Sequence, residues 1–143
     1  MKFTAVTRTI EIISALFILV FVYTATAKLL SHHSFLVTLK TAPLINFAAP
    51  FLSWTIPAIE LLISILLFIP QFQKMGLYAS LTLMTLFTTY VAAMLLASSH
   101  LPCSCGGMIT HLSWKQHLWL NVFLTALAAT GIYLYTRTKF LLQ

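Results

Sequence analysis

The sequence predicts an all-α integral membrane protein, a four-helix bundle with a short interfacial helix after the first span. The 143 residues are 60% hydrophobic and only 7% charged, whereas about a quarter of the residues in a soluble domain are charged. Four apolar stretches follow one another along the chain, and each is long enough to cross roughly 30 Å of hydrocarbon as a helix. We therefore expect a single transmembrane domain over residues 1–143, with the lipid bilayer as its surroundings.

The predicted spans cover about residues 9–30, 50–69, 75–98 and 117–136. The first of them also resembles a secretory signal, because Lys2 and Arg8 precede it and the small residues Ala25-Thr26-Ala27 lie near its end. Its apolar segment exceeds a usual signal core and Lys28 follows at once, so we expect an uncleaved helix. Pro70 ends the second span, since a helix does not easily continue through proline.

The connector between the first two spans, residues 31–49, is too polar to cross a membrane. Its apolar residues Phe35, Leu36 and Leu39 are spaced as on one helix face. This spacing predicts the short interfacial helix.

The net charge of +6 comes from basic residues placed singly near the ends of the apolar stretches. That distribution is typical of membrane anchoring and not of nucleic-acid binding. If both termini are inside, the inner side carries five cations, namely Lys2, Arg8, Lys74, Arg137 and Lys139. The outer side then carries three, namely Lys28, Lys40 and Lys115. Because Lys and Arg accumulate on the cytoplasmic side, we expect cytoplasmic termini and an extracytoplasmic loop between the third and fourth spans.

The only two cysteines, Cys103 and Cys105, stand one residue apart in that loop and are followed by Gly106 and Gly107. In an oxidising compartment such close thiols form a disulfide, and the one-residue spacing forces a strained ring that is easily reduced. A bridge across so short a loop removes little unfolded-state entropy, which makes a structural role a poor explanation. The glycines permit the backbone angles of such a ring and the approach of a partner thiol. The pattern favours a redox dithiol.

Two other interpretations of the cysteines stay open, a metal site and inert residues. His100, His111, Lys115 and His117 surround the pair in sequence, and positive groups nearby favour the reactive thiolate. A metal site would need both cysteines and two of the histidines, but the cysteine spacing is tighter than in common zinc loops, and copper(I) would tolerate it better. We predict no metal.

Glu60 is the only acid deep inside a predicted span, about 15 Å from the start of its helix. An ionised carboxylate is costly there, so we expect it to be protonated or paired, and intramembrane acids are functional candidates. Lys28 is a possible partner. Alternatively, Lys28 snorkels to the headgroups and Glu60 is a neutral packing residue. Asn121, in the fourth span, either joins this cluster or bridges two helices.

The remaining polar and aromatic residues near the membrane boundary have simpler interpretations. His32 and His33 are expected at headgroup level, with metal or haem binding as the alternative. Trp54, Trp114 and Trp119 flank the proposed outer boundary as an aromatic belt does.

Several short motifs occur in a fixed order along the four apolar spans, namely Lys28-Leu29-Leu30, Pro57-Ala58-Ile59-Glu60-Leu61, Cys103-Ser104-Cys105-Gly106-Gly107, Leu112-Ser113-Trp114 and Asn121. Together they resemble the MauE family of methylamine-utilisation proteins, within the DoxX-like group. The resemblance covers roughly residues 10–135. It implies a DoxX-like protein of the bacterial inner membrane that handles thiols and disulfides beside a thioredoxin-like partner, in the maturation of methylamine dehydrogenase. The cysteine loop departs from the Cys-Gly-Cys-Phe-Gly frequent in the family, which leaves the substrate open.

The leading hypothesis is thiol–disulfide exchange between the cysteine pair and an extracytoplasmic thioredoxin-like or secreted disulfide-containing protein. The expected catalytic residues are Cys103 and Cys105, and the supporting ones are Lys28, Glu60, Gly106, Gly107, Trp114 and Asn121. No cofactor is required, although a quinone could complete the circuit. The rivals are a non-enzymatic membrane subunit or assembly factor, and a small transporter with Glu60 as a proton-linked site. No oligomeric state is predicted.

Overall fold

The computed structural model of the chain describes residues 2–97 and 114–140, and the regular structure in these residues is helical. The α-helices are α1 (Lys2–Leu30), α2 (His32–Thr41), α3 (Ala49–Phe68), α4 (Gln73–Ala97) and α5 (Trp114–Phe140), and a 3-10 helix covers Asn46–Ala48. All of the α-helices except α2 are long and apolar enough to cross a membrane. The predicted all-helical class and the four apolar helices are therefore confirmed, and the chain is a multi-pass membrane protein.

The helix α1 begins at Lys2, well ahead of the start near residue 9 that hydropathy predicts. The helix α5 likewise covers Trp114–Phe140, beyond the predicted 117–136 on both sides. Hydropathy marks where a chain enters hydrocarbon, whereas helical hydrogen bonding continues for as long as the backbone and its neighbours allow. Both helices therefore carry polar turns that extend past the apolar segment.

The four long helices pack as a closed bundle. α1 packs against α3 and α5, and α4 packs against the same two helices. The core takes apolar side chains from all four, among them Phe17 and Phe21 of α1, Ile63 of α3, Leu77 of α4 and Leu124 of α5. The rings of Phe17 and Phe21 lie 5.6 Å apart between centroids, in the range of favourable aromatic pairs.

The outside of the bundle is apolar, as expected for a surface that faces lipid tails. Large side chains such as Leu19, Phe51 and Phe68 are mostly exposed. Threonine hydroxyls on this surface donate to carbonyl oxygens of their own helix, as Thr26 does to Val22 at 2.7 Å and Thr85 to Leu81 at 2.7 Å. These internal bonds allow polar residues to face hydrocarbon without an unsatisfied donor.

The short helix predicted between the first two spans is present as α2. Only Ser31 separates it from α1, and the hydrogen bonds from Ser31 N–H to Ala27 and from Phe35 N–H to Ser31 carry the chain across this break. Phe35 and Leu39 of α2 pack on Ala49 of α3. α2 therefore covers the first turns of α3, while its location at a membrane interface stays a prediction.

The two ends of the bundle differ in shape. At one end, the α2 end, α1 gives way to α2 and α3 begins. At the other, the turn end, α3 and α4 are joined through residues 69–72. There the side-chain Nε2 of Gln73 donates to Ser14 Oγ over 3.1 Å, and Gly76 packs closely on Leu67. Because Gln73 is level with Ser14, the first turns of α1 run past the α3–α4 turn.

Candidate functional site

A buried ion pair joins α1 to α3. The Nζ of Lys28 lies 2.5 Å from Oε1 of Glu60, and the two side chains are 8% and 1% exposed. Lys28 stands in the last turn of α1, whereas Glu60 lies about 16 Å along α3 from Ala49 at 1.5 Å per residue. The lysine side chain therefore points into the bundle and does not snorkel to the headgroups.

Aromatic rings surround the ammonium group of Lys28. Its Nζ lies 5.8 Å from the ring centroid of Phe35 on α2 and 5.6 Å from that of Phe87 on α4. The faces of such rings attract a cation and replace part of the solvation that burial removes. The lysine is thus held by α2, α3 and α4 together.

Glu60 lies on a buried face of α3. The same face carries Ser53, Pro57, Ser64 and Leu67. Their spacing of three and four residues places them on one helix face. The hydroxyl of Ser64 donates to the backbone oxygen of Glu60 over 2.9 Å, and Thr24 of α1 lies beside the carboxyl group. Among the described residues, the second carboxylate oxygen, Oε2, has no hydrogen-bond partner. One acceptor of the ion pair is therefore unused.

Asn121 faces the interior of the bundle from α5 and is 5% exposed. Its side-chain Nδ2 has no hydrogen-bond partner within the part of the chain that the structure describes. Thr125, one turn further along α5, donates to the backbone oxygen of Asn121 over 2.7 Å, and its hydroxyl lies 3.1 Å from that of Thr88 on α4. The second of these bonds joins α4 to α5 one residue away from Phe87, and so near the depth of the ion pair.

His117 connects α5 to the same region. It is half-buried near the start of α5 and lies close enough to Lys28 for an electrostatic interaction between them. The start of α5 is therefore at the α2 end of the bundle.

The histidines after the first span do not gather at a metal site. His32 Nε2 lies 3.2 Å from Ser53 Oγ, and its ring centroid is 4.3 Å from that of Trp54. His33 is exposed. Across residues 2–97 and 114–140, no group of three or more potential metal-ligating side chains occurs.

The structure describes the side chains of two of the three tryptophans in the predicted belt. The side chains of Trp54 and Trp119 are exposed on the outside of the bundle. Trp114 begins α5. An interfacial position for these residues stays a prediction.

Cys103, Cys105, Gly106 and Gly107 lie outside the described residues. The chain that carries them joins α4, which ends at Ala97, to α5, which begins at Trp114. Because α4 begins at the turn end and His117 near the start of α5 lies close to Lys28, α4 ends and α5 begins at the α2 end. The structure thus brings Lys28 and Glu60 together and buries Asn121 in the same bundle, and it leaves their relation to the thiols as a prediction.

The sequence did not show that Thr24, Phe35 and Phe87 lie around the ion pair. Thr24 could have been found, because it stands one turn before Lys28 on the same face of α1. Phe35 and Phe87 carry no comparable signal. Aromatic residues are common in apolar helices, and only the packing of the bundle shows which of them meet a cation.

The comparisons with known proteins identify one family. The family model described as methylamine utilisation protein MauE matches residues 6–134. Neither the curated proteins nor the solved structures gave a match.

Proposed function

Because this chain belongs to the MauE family, whose model covers residues 6–134, we propose that it is a membrane thiol–disulfide redox protein. The observation that carries the proposal is the pair Cys103 and Cys105, the only cysteines of the chain, with Gly106 and Gly107 directly after them. Two thiols at this spacing form a disulfide that is readily reduced. The partner is a thioredoxin-like or secreted protein with a dithiol or disulfide of its own.

The exchange needs no reagent beyond the two proteins. A thiolate of the reduced protein attacks the disulfide of the other, which forms a mixed disulfide and releases one thiolate. The second thiol of the attacking pair loses its proton, and the resulting thiolate attacks the mixed disulfide and releases the other protein. Two electrons have then passed to the other protein, whose two sulfurs are thiolates that take up protons. The same steps run in either direction, according to the relative reduction potentials of the two pairs.

Lys28, Glu60 and Asn121 serve in this proposal as supporting residues and not as reacting groups. The Lys28–Glu60 pair fixes the last turn of α1 against the middle of α3. An ion pair of this kind, held among Phe35 and Phe87, gives the two helices one register. The cysteine segment would then start from a rigid base.

The orientation follows from the distribution of cations between the two sides of the bundle. Five basic residues belong to the turn end, where both termini lie, and three belong to the α2 end. This distribution favours cytoplasmic termini and an extracytoplasmic cysteine segment. In a bacterial inner membrane this places the thiols in an oxidising compartment. Maturation of a methylamine dehydrogenase-like protein, which the resemblance to the MauE family implies, would supply a disulfide-containing substrate there.

The test is the redox state of the cysteine pair in native membranes. Acid trapping followed by mass tagging of free thiols is expected to show a mixture of dithiol and disulfide that shifts with a mild dithiol reductant while the protein stays folded. Of the variants Cys103→Ser and Cys105→Ser, the one that keeps the attacking cysteine should accumulate a mixed disulfide with the partner, and Cys103→Ser/Cys105→Ser should accumulate none. Thiols that stay fully reduced, or that react only after chelation of metal, would contradict the proposal.

A further inference from the structure

A cavity of about 580 Å³ opens at the turn end of the bundle, at the opposite end from the ion pair. It lies between the first half of α1, the last turns of α5 and the turn that joins α3 to α4. Gly131 of α5 packs on Ile13 of α1, and Gln73 at the α3–α4 turn bonds to Ser14. The turns of α1 before these contacts and the turns of α5 after them line the cavity together with Phe68, Pro70 and Gln73.

The lining of the cavity is mixed near the start of α1 and apolar at its deep end. Thr7, Ile10, Glu11 and Ser14 line it first, and Ala15 and Ile18 line it deeper in the bundle, together with Leu67 of α3. A cavity of several hundred Å³ is large enough for a small ligand or part of a lipid. The order of its lining fits an amphipathic molecule with its polar group at the membrane surface and a chain directed into the hydrocarbon.

The polar part of the cavity contains a carboxylate. Glu11 is exposed, and within the described residues it takes part in no ion pair or hydrogen bond. An unpaired carboxylate beside a membrane surface attracts a cationic group, above all one with N–H donors.

Basic side chains lie around the same end of the bundle. Arg8 stands one turn before Glu11. Lys74 Nζ lies 6.0 Å from the ring centroid of Tyr78, and Arg137 Cζ lies 5.9 Å from that of Tyr133. Tyrosines paired with cations are typical of the level of lipid headgroups. The cavity therefore has a carboxylate inside and cations around it.

From this arrangement we propose that the cavity binds one phospholipid with a primary ammonium headgroup, of the phosphatidylethanolamine type. The ammonium group donates hydrogen bonds to the Glu11 carboxylate, the phosphate faces the surrounding cations, and an acyl chain follows Ala15 and Ile18 into the bundle. A choline headgroup has no N–H to donate, and an anionic headgroup without an amine repels the carboxylate. This site is independent of the proposed thiol chemistry.

The test measures lipid retention by the full-length protein in detergent. Native mass spectrometry would follow titrations with phosphatidylethanolamine, phosphatidylcholine and phosphatidylglycerol that carry identical acyl chains. We expect phosphatidylethanolamine to be retained about tenfold better than phosphatidylcholine, since a hydrogen bond to a charged group has about that effect on affinity. Equal retention of the two, or a preference for phosphatidylglycerol, would overturn the proposal.

Three variants locate the site. Glu11→Gln should remove the preference for phosphatidylethanolamine, and Ala15→Phe should fill the apolar part and abolish retention of every lipid in this cavity. Thr9→Ala is the matched control, because Thr9 is exposed on α1 at a similar level and does not line the cavity. An unchanged preference in Glu11→Gln, or full retention in Ala15→Phe, would show that the lipid binds elsewhere and would overturn the proposal.

Discussion

The ammonium nitrogen of Lys28 and a carboxylate oxygen of Glu60 lie 2.5 Å apart, although 32 residues separate them in the chain. Each is the partner that makes burial of the other tolerable, because an isolated charge inside a bilayer is costly. The pair therefore couples the positions of α1 and α3 more strongly than an exposed salt bridge would.

Loss of one member of this pair should destabilise the bundle more than loss of both. We expect Glu60→Gln or Lys28→Met to lower the free energy of unfolding by about 3 to 5 kcal/mol, since each leaves a buried polar group without its partner. The double variant should lose less than either single variant. Unfolding by SDS titration in mixed micelles would measure the three values, with Lys40→Met as an exposed control. Additive losses would show that the two residues act separately.

The cysteines and Glu60 should have separable effects on function. Cys103→Ser/Cys105→Ser should abolish mixed-disulfide formation and leave the unfolding midpoint of the bundle unchanged, because a bridge over so short a loop adds little stability. Glu60→Gln should lower the stability of the bundle. It should reduce the yield of mixed disulfide only as far as the amount of folded protein falls. Thiol trapping and unfolding of the same preparations would test both statements. Normal function without the cysteines, together with complete loss in Glu60→Gln, would instead indicate a transporter.

Gly76 should not tolerate a side chain. A Cβ at this position would lie 2.8 Å from Leu67 Cδ2 and 2.9 Å from the Leu67 backbone nitrogen, so that the clash is partly with backbone and a change of rotamer does not relieve it. We expect Gly76→Ala to lower the free energy of unfolding by about 1 to 3 kcal/mol, as overpacking does.

Gly131→Ala is the matched control for that substitution. Its Cβ would meet only side-chain atoms, the nearest being Leu77 Cδ2 at 3.2 Å and Ile13 Cγ2 at 3.3 Å. These side chains can shift slightly, so the loss of stability should be smaller. The same SDS titration decides the order, and an equal or larger loss for Gly131→Ala would contradict this account of the α3–α4 contact.

The hydroxyl pair of Thr88 and Thr125 should contribute modestly to stability. Their oxygens lie 3.1 Å apart between α4 and α5, and such interhelical bonds in membrane proteins average about 0.6 kcal/mol. A double-mutant cycle with Thr88→Val and Thr125→Val should give a coupling energy of that order. Thr89→Val is the control, because the hydroxyl of Thr89 donates to the backbone oxygen of Thr85 within α4. A coupling as large as that of the ion pair would require a larger polar network in this region.

Much of the architecture follows from composition and spacing. An apolar stretch of sufficient length has to form a helix in lipid, because no other conformation of a single segment satisfies its backbone. The pairing of Lys28 with Glu60 was only one of two alternatives. Sequence spacing fixes which face of a helix carries a residue, but the direction of a lysine side chain depends on what packs above it, here Phe35 of α2.

The cavity at the turn end had no sequence signal. Its residues come from α1, α3, α4, α5 and the turn between α3 and α4, so that no single stretch of the sequence marks it. The extension of α1 to Lys2 and of α5 to Phe140 was missed, because hydropathy detects the apolar part of a helix only. The cysteine segment, the strongest sequence feature, lies outside the described residues.

The wide separation of Lys28 and Glu60 along the chain also constrains the order of biosynthesis. Lys28 precedes Glu60 by 32 residues, so it is synthesised before its partner. Until Glu60 is made the lysine has no counter-charge, and a lone lysine at depth opposes entry into the bilayer. A lysine in the last turn of a helix can keep its ammonium group near the headgroups, so we expect Lys28 to be buried only once α3 is in place. Glu60 then supplies the opposite charge that makes this burial tolerable.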